Sequence, residues 1–220
     1  GLDSMLVDLV GVSLCVEPGA ACYIPLTHKA GSDDLFGGEG LAEGQMPLEE
    51  ALAMLKPVLE DPAVLKIGQN MKYDAKVLHR YGITVAPIDD TMLMSYALHA
   101  GEHNHGMDTL SERYLDHKPI PIKPLLGAGK SAITFDRVPI TDAVPYAAED
   151  ADVTLRLWQH FKPELHREQV TTVYETLERP LVPVLAEMER NGIKVDRDTL
   201  SRMSNAFAQK MAGLEHEIHE

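Results

Sequence analysis

Residues 64–82 read VLKIGQNMKYDAKVLHRYG, and this stretch indicates the class of fold. Its apolar start predicts a short strand over residues 64–67 that ends at Gly68. Apolar residues then recur at helical spacing, with Asn70 available as the cap of a helix and Gly82 as its end. A strand that runs directly into a helix is typical of a layered α/β protein.

Asp74 lies on the apolar side of this predicted helix. It comes three residues after Met71 and four before Leu78, so its side chain points toward the interior. A buried carboxylate is costly unless it is paired, hydrogen-bonded or bound to metal. It could also be an aspartate favoured by the dipole at the start of the helix. The segment alone leaves both interpretations open.

The flanking segments extend this architecture. Residues 6–16 and 19–27 are rich in β-branched and apolar side chains, and Glu17-Pro18-Gly19 between them predicts a β-hairpin. The sequence predicts helices over residues 47–59, 91–99, 107–115, 141–162, 169–190 and 197–219. We therefore expect a mixed α/β layer fold, with a domain boundary near residues 170–180, where the pattern becomes almost entirely helical.

A second candidate for chemistry is the pair Tyr146 and Asp150. The two residues are four apart and share one helix face, which Val153 and Leu157 continue. A buried carboxylate beside a phenol can hold a metal ion and orient a water molecule. The alternative is a tyrosine hydroxyl that satisfies a structural aspartate. Three residues of the same helix are expected on another, solvated side: Glu149, Asp152 and Arg156.

Histidines and cysteines offer weaker patterns. His99, His103 and His105 form a local cluster that could bind zinc, but no cysteine or second set of ligands accompanies them, which favours a solvated loop. Cys15 and Cys22 form neither a CxxC pair nor a disulfide framework, so we expect buried, reduced thiols of a cytosolic protein.

The charge limits how the protein could bind nucleic acid. The chain has 20 basic and 34 acidic residues, a formal net charge of −14. Such a chain does not bind duplex DNA tightly by phosphate neutralisation, so any contact must be local or bridged by divalent metal. No apolar run approaches the roughly 20 residues of a membrane span. No secretion signal opens the chain. We expect a cytoplasmic protein without membrane association.

Two short motifs resemble those of one enzyme family. Residues 68–74 (GQNMKYD) and residues 146–153 (YAAEDADV) are similar to the second and third motifs of the 3′→5′ proofreading exonuclease domain of bacterial family A DNA polymerases. Weaker similarity covers residues 9–14, 21–25, 90–93, 179–185 and 189–196, and the last two segments look like the opening helices of the polymerase domain.

The resemblance implies a domain organisation. Residues 1–175 would form a ribonuclease H-like exonuclease fold, a mixed sheet with flanking helices. Residues 176–220 would begin the helical polymerase domain. The family's first motif, an Asp-x-Glu on the first strand, has no counterpart in the first 40 residues. We therefore expect the first strand to be missing.

The resemblance also implies a mechanism with two divalent ions, Mg²⁺ or Mn²⁺. Asp150 would bind the metal that carries the attacking water, Asp74 would support the second metal, and Tyr146 would orient the nucleophile. Because two carboxylates stand where the family has four, we expect this chain alone to be inactive or strongly impaired.

The substrate implied by the resemblance is the 3′ end of single-stranded DNA, and the implied partner is the remainder of the polymerase chain. Gln69 and Asn70 would lie near the 3′-terminal nucleotides, and Leu2 would wedge against the terminal bases. Two alternatives are an RNA 3′ exoribonuclease of the same class and a catalytically vestigial scaffold. The polymerase-like segment 180–196 disfavours the first, and the presence of both carboxylate motifs disfavours the second.

Overall fold

The computed structural model describes residues 3–30, 40–129 and 132–219 of the 220-residue chain. Its strands are β1 Gly11–Glu17, β2 Ala20–Pro25, β3 Lys66–Gly68 and β4 Ile88–Asp90. Its helices are α1 Leu48–Glu60, α2 Met71–His79, α3 Thr91–His99, α4 Met107–Leu115, α5 Ile122–Leu126, α6 Ile140–Arg167, α7 Thr171–Val173, α8 Arg179–Asn191 and α9 Arg197–His219. This mixture of small sheets and many helices confirms the predicted α/β class.

The hairpin forms where the turn residues predict it, but its first strand begins later than expected. β1 and β2 pair antiparallel, and Gly19 in the turn has a φ of +82°, which favours glycine. The strand predicted from residue 6 begins at Gly11, because the carbonyl of Asp3 accepts from the amides of Leu6 and Val7 and forms a turn. Cys22 is exposed on the hairpin, so the expectation of a buried thiol is wrong for this residue.

β3 and β4 form a parallel pair connected through α2. Their register runs from Lys66 opposite Ile88 to Gly68 opposite Asp90. The predicted strand is found two residues later than expected, and β4, only three residues long, was not predicted. Because parallel strands end at the same edge, the turn after Gly68 and the start of α3 lie side by side.

The main core surrounds α6, which packs against both sheets and against α3, α4 and α5. Val153, Leu157 and Phe161 of α6 have no exposed surface, and Met94 and Leu110 pack with them. Burial of each large side chain contributes about 1.5–3 kcal/mol. The helix runs to Arg167, beyond the predicted end near residue 162, because the core continues through its last turns.

A buried carboxylate joins β4 to the C-terminal half of α6. Asp89 has no exposed surface, and it accepts from Trp158 Nε1 at 2.8 Å and from the Tyr174 hydroxyl at 2.9 Å. Its oxygens also pair with Lys162 and Arg179, each at 3.1 Å. Burial alone would raise the pKa of Asp89, but the bonds from Trp158 and Lys162 hold that pKa below its usual value. Asp89 is therefore ionised at neutral pH.

The helical segment after α6 contains a π turn at Tyr174–Glu178, and the chain then continues as α8. Pro180 lacks an amide hydrogen and crowds the carbonyl four residues earlier, which explains an irregular turn before it. The chain divides into two compact units, Gly1–Glu187 and Met188–Glu220. The functional boundary at residues 175/176 stays a prediction. Among the described helices, none has the length and apolarity that a membrane crossing requires.

Candidate active site

Asp90 organises the edge where β3 and β4 end. It is 1% exposed, and its Oδ1 accepts from the amides of Asn70 at 3.1 Å and Met92 at 2.9 Å. Its Oδ2 accepts from the Met71 amide at 2.8 Å. One carboxylate thus caps both α2 and α3. The expectation that the Asn70 side chain caps α2 is wrong, because Asn70 makes no such bond and has a left-handed φ of 61°.

Asp74 lies in the first turn of α2, beside this edge. Its side chain is accessible to solvent, yet loss of hydration, followed by the charge of Asp90, raises its pKa to about 7. Nearby protein atoms can remove hydration from a carboxylate that solvent still reaches. Asp74 is therefore a carboxylate that solvent reaches, and a backbone hydrogen bond offsets the rise in its pKa only in part.

The side chain of Gln69 is held at both ends of its amide. Its Nε2 donates to the carbonyl of His105 at 2.8 Å, and its Oε1 accepts from the Thr91 hydroxyl at 2.5 Å. Asn70, the next residue, is exposed. Of the three predicted substrate-binding residues, Gln69 and Asn70 thus lie at the edge of the parallel pair, and Leu2 lies outside the described residues.

Tyr146 and Asp150 meet on α6 as their spacing predicts. The Tyr146 hydroxyl is hydrogen-bonded to the Asp150 carboxylate, and both side chains are half-buried. Burial raises the pKa of Asp150 to about 7, the bond from Tyr146 opposes the rise, and the charges of Glu149 and Asp108 add to it. Burial and the charge of Asp150 raise the pKa of Tyr146, so the phenol stays protonated and donates.

The turn between α3 and α4, together with the first turn of α4, lies near both groups of residues. The carbonyl of His105 holds Gln69, and Asp108, three residues later, raises the pKa of Asp150. Helix α6 also packs against β3. Different neighbouring charges thus raise the pKa values of the two candidate ligands. The charge of Asp90 raises the pKa of Asp74, and the charges of Asp108 and Glu149 raise the pKa of Asp150.

Residues 1–166 match the family model described as 3′-5′ exonuclease, which covers most of the chain. The chain belongs to this 3′-5′ exonuclease family. It is 54% identical to DNA polymerase I of Rhizobium leguminosarum over an alignment that covers 99% of this chain and 22% of that protein. The chain thus spans about a fifth of the length of this relative. The family predicted from the two motifs is confirmed.

Solved structures share the fold of this exonuclease domain. The POL domain of Pol1 from M. smegmatis has a TM-score of 0.63 at 23% identity, over 88% of this chain and 29% of that one. Brucella melitensis NrnC has a TM-score of 0.63 at 21% identity, over 87% of this chain and 81% of that one. A second structure of NrnC, with bound Mg²⁺, has a TM-score of 0.52 at 20% identity, over 89% of this chain and 92% of that one. The predicted ribonuclease H-like exonuclease fold is confirmed.

Two acidic residues of α6 that were expected to be solvated are engaged in the exonuclease domain. Glu149 accepts from the Ile120 amide at 2.6 Å and lies 2.8 Å from His117 Nε2. Asp152 accepts from the Gly19 amide at 2.6 Å. That expectation is wrong because loops cover this side of α6, and the two carboxylates fasten those loops to the helix.

The roles of three further residues do not follow from the sequence. Asp90 immediately precedes α3, which is a capping signal, but its hydrogen bonds to the start of α2 are tertiary contacts that the sequence does not indicate. Asp108 has no sequence signal that connects it with Asp150. Phe135 lies with its ring centroid 5.9 Å from that of Tyr146, within a segment that has no periodic pattern.

Proposed function

We propose that this domain removes nucleotides from the 3′ end of single-stranded DNA as the proofreading part of a longer DNA polymerase. The observation that carries the proposal is the hydrogen-bonded pair Tyr146 and Asp150, half-buried on α6 within a 3′-5′ exonuclease family domain. A local, metal-bridged contact also suits a chain with a net charge of −14.

Asp74 and Asp150 fit divalent metal as ligands. Both offer carboxylate oxygens, which Mg²⁺ and Mn²⁺ prefer. Both have a pKa raised to about 7, so each ionised form lacks a compensating positive charge. A divalent ion bound there would polarise a phosphoryl oxygen and lower the pKa of a bound water. Asp90 is not a third ligand in this proposal, because its oxygens are used by four backbone amides.

The chain's own residues would orient the reactants. Tyr146 keeps its proton at neutral pH and can donate to Asp150 or to the attacking water. Asn70 is exposed at the edge of the parallel pair and would contact the terminal nucleotide. Gln69, fixed by His105 and Thr91, would hold the turn that presents Asn70.

Phe135 and Leu2 complete the proposed substrate contacts. The ring of Phe135 lies beside Tyr146, where a terminal base could stack on it. The predicted wedge, Leu2, stays a prediction. We further propose that the domain works in the bacterial cytoplasm, joined to the remainder of the polymerase.

The test is digestion of a 5′-labelled single-stranded DNA oligonucleotide with Mg²⁺ or Mn²⁺. The full chain is compared with the same chain carrying an added Asp-x-Glu strand, because two of the four expected carboxylates are absent from its sequence. We expect a ladder of products from the extended chain and little or none from the chain alone. Asp150→Asn should abolish the ladder, and Asp142→Asn, at an exposed position of α6, is the matched control.

Two outcomes would contradict the proposal. Folded protein without any ladder, with or without the added strand, would favour the vestigial scaffold. An RNA oligonucleotide digested much faster than DNA would favour the exoribonuclease. A ladder from the unextended chain that disappears in Asp150→Asn would overturn only the expected inactivity.

A further inference from the structure

Imidazole and carboxylate side chains converge where α3 ends and the chain turns toward α4. His99 is the last residue of α3, and Glu102 and His103 follow in the turn. One ligand atom from each of the three lies within 4.8 Å of the others. We call these three residues the histidine cluster. It does not include the residues assigned above to the candidate active site.

The backbone explains why the three side chains meet. Helix α3 stops at His99, and Gly101 has a φ of +81°, a left-handed conformation that favours glycine. The chain therefore turns back on itself, and His99 Nδ1 lies 3.4 Å from a carboxylate oxygen of Glu102. The ring centroids of His99 and His103 are 5.6 Å apart.

The histidine rings are half-buried and packed, whereas Gly101, Glu102 and Asn104 of the same turn are exposed, so the expected solvated loop describes the turn but not its histidine rings. His99 stacks on Tyr114 at 5.3 Å with an interplanar angle of 24°. His103 Nε2 lies 2.8 Å from the Tyr114 hydroxyl, and His105 Nδ1 lies 2.8 Å from the Ser95 hydroxyl. These contacts restrict the rotation of the rings and hold them close together before any ligand arrives.

The hydrogen bonds of His103 orient it as a metal ligand. Its Nδ1 lies 2.8 Å from the carbonyl oxygen of Asn104, which can only accept, so Nδ1 carries the hydrogen. The lone pair is therefore on Nε2, beside the Tyr114 hydroxyl. Metal-binding histidines commonly donate their other N–H to a backbone carbonyl in this way.

We propose that His99, Glu102 and His103 bind one zinc ion, with a water molecule as the fourth ligand. Two imidazoles and one carboxylate are an established type of zinc ligand set, at about 2.0–2.2 Å from the ion. Small movements of the three side chains bring their ligand atoms to that distance. Binding requires the Tyr114 hydroxyl to move away from His103 Nε2, and it could then hydrogen-bond to the bound water.

The position of the cluster gives the zinc ion a structural role. It would fasten the end of α3 to the turn that contains His105, and the carbonyl of His105 holds Gln69. Zinc would therefore stabilise the support of Gln69 without taking part in hydrolysis.

Zinc binding is tested in the full chain with Asp74→Asn and Asp150→Asn, which remove the candidate ligands of the active site. Zinc is titrated against a chromophoric chelator, and cobalt replaces it for visible spectroscopy. We expect one equivalent of zinc, a cobalt spectrum of a four-coordinate site, and a rise in Tm on the order of 5 °C at saturating zinc.

Variants then locate the site. His99→Ala and Glu102→Gln should each weaken zinc binding at least tenfold, and Glu102 is suitable because its side chain is 54% exposed. His79→Ala and Glu112→Gln, at exposed positions outside the cluster, are the matched controls. Circular dichroism checks that each variant is folded. The proposal is overturned if the chain takes up no zinc, or if both variants bind zinc as tightly as their controls.

Discussion

Replacement of Asp89 by asparagine should destabilise the unit Gly1–Glu187 by about 3 kcal/mol. Asparagine keeps the shape but has no charge, and its NH₂ group would face donors instead of accepting from them. Two of those donors, Trp158 Nε1 and the Tyr174 hydroxyl, would compete for one remaining oxygen. An unsatisfied buried donor costs about 1–3 kcal/mol.

The lost ion pairs of Asp89 account for the remainder of the expected decrease in unfolding free energy. Lys162 and Arg179 have side chains that are 35% and 31% exposed, so solvent screens part of their attraction to Asp89. Both also pair with Glu175, which keeps them partly compensated when Asp89 loses its charge. We therefore place the loss at the lower end of the roughly 3–5 kcal/mol typical when one partner of a buried pair is removed.

The assay is urea unfolding followed by circular dichroism at pH 7 and at pH 3.5. The folded-state pKa of Asp89 is lowered, so its ionisation stabilises the protein above the unfolded-state pKa. That stability is lost as the pH falls through the folded-state pKa. The difference between wild type and Asp89→Asn should accordingly be smaller at pH 3.5.

Glu175→Gln is the matched control, because it removes a carboxylate from the same two cations at a more exposed position. The unfolding free energy of Glu175→Gln should be lower than that of wild type by about 1 kcal/mol or less. A loss below about 0.5 kcal/mol for Asp89→Asn, or one that is the same at both pH values, would refute the reasoning.

Three further results are expected. Tyr146→Phe removes the hydroxyl that donates to Asp150 and is proposed to orient the attacking water, so the rate of DNA digestion by the extended chain should fall about 10–100-fold; an unchanged rate contradicts this role. Leu157→Ala empties a fully buried core position and should cost about 2–5 kcal/mol in urea unfolding, whereas a loss under 1 kcal/mol would mean that the core repacks. The folded-state pKa values of Asp74 and Asp150 are raised to about 7, so without metal the two groups contribute stability below pH 4 that is lost as the pH rises through 7. The midpoint of urea unfolding in EDTA should therefore fall between pH 5 and pH 8, and it should fall less when both residues are replaced by asparagine. Equal falls in the two proteins would contradict this assignment.

Periodic patterns account for the parts of the fold and site that the sequence predicts. The hairpin has turn residues at its centre, and α2 and α6 have apolar faces long enough to be recognised. The contact between Tyr146 and Asp150 follows from the geometry of one helix turn, so no tertiary information is needed for it.

Tertiary contacts account for the parts that the sequence does not predict. β4 is three residues long and has no period to detect. Asp90 caps a helix that begins 19 residues before it, and the partners of Asp89 follow it by as many as 90 residues. Glu149 and Asp152 look solvated on a helical projection, because the loops that cover them come from other parts of the chain. Such relations arise only once the elements pack.

Helix α6 limits how this chain can change in length. It carries Asp150 in its first half, and Trp158 and Lys162, the partners of Asp89, in its second half. One inserted or deleted residue between positions 150 and 158 would rotate the two halves by about 100° relative to each other. Either Asp150 would then turn away from the candidate active site, or Trp158 and Lys162 would turn away from Asp89. Insertions and deletions within this stretch should therefore be eliminated by selection.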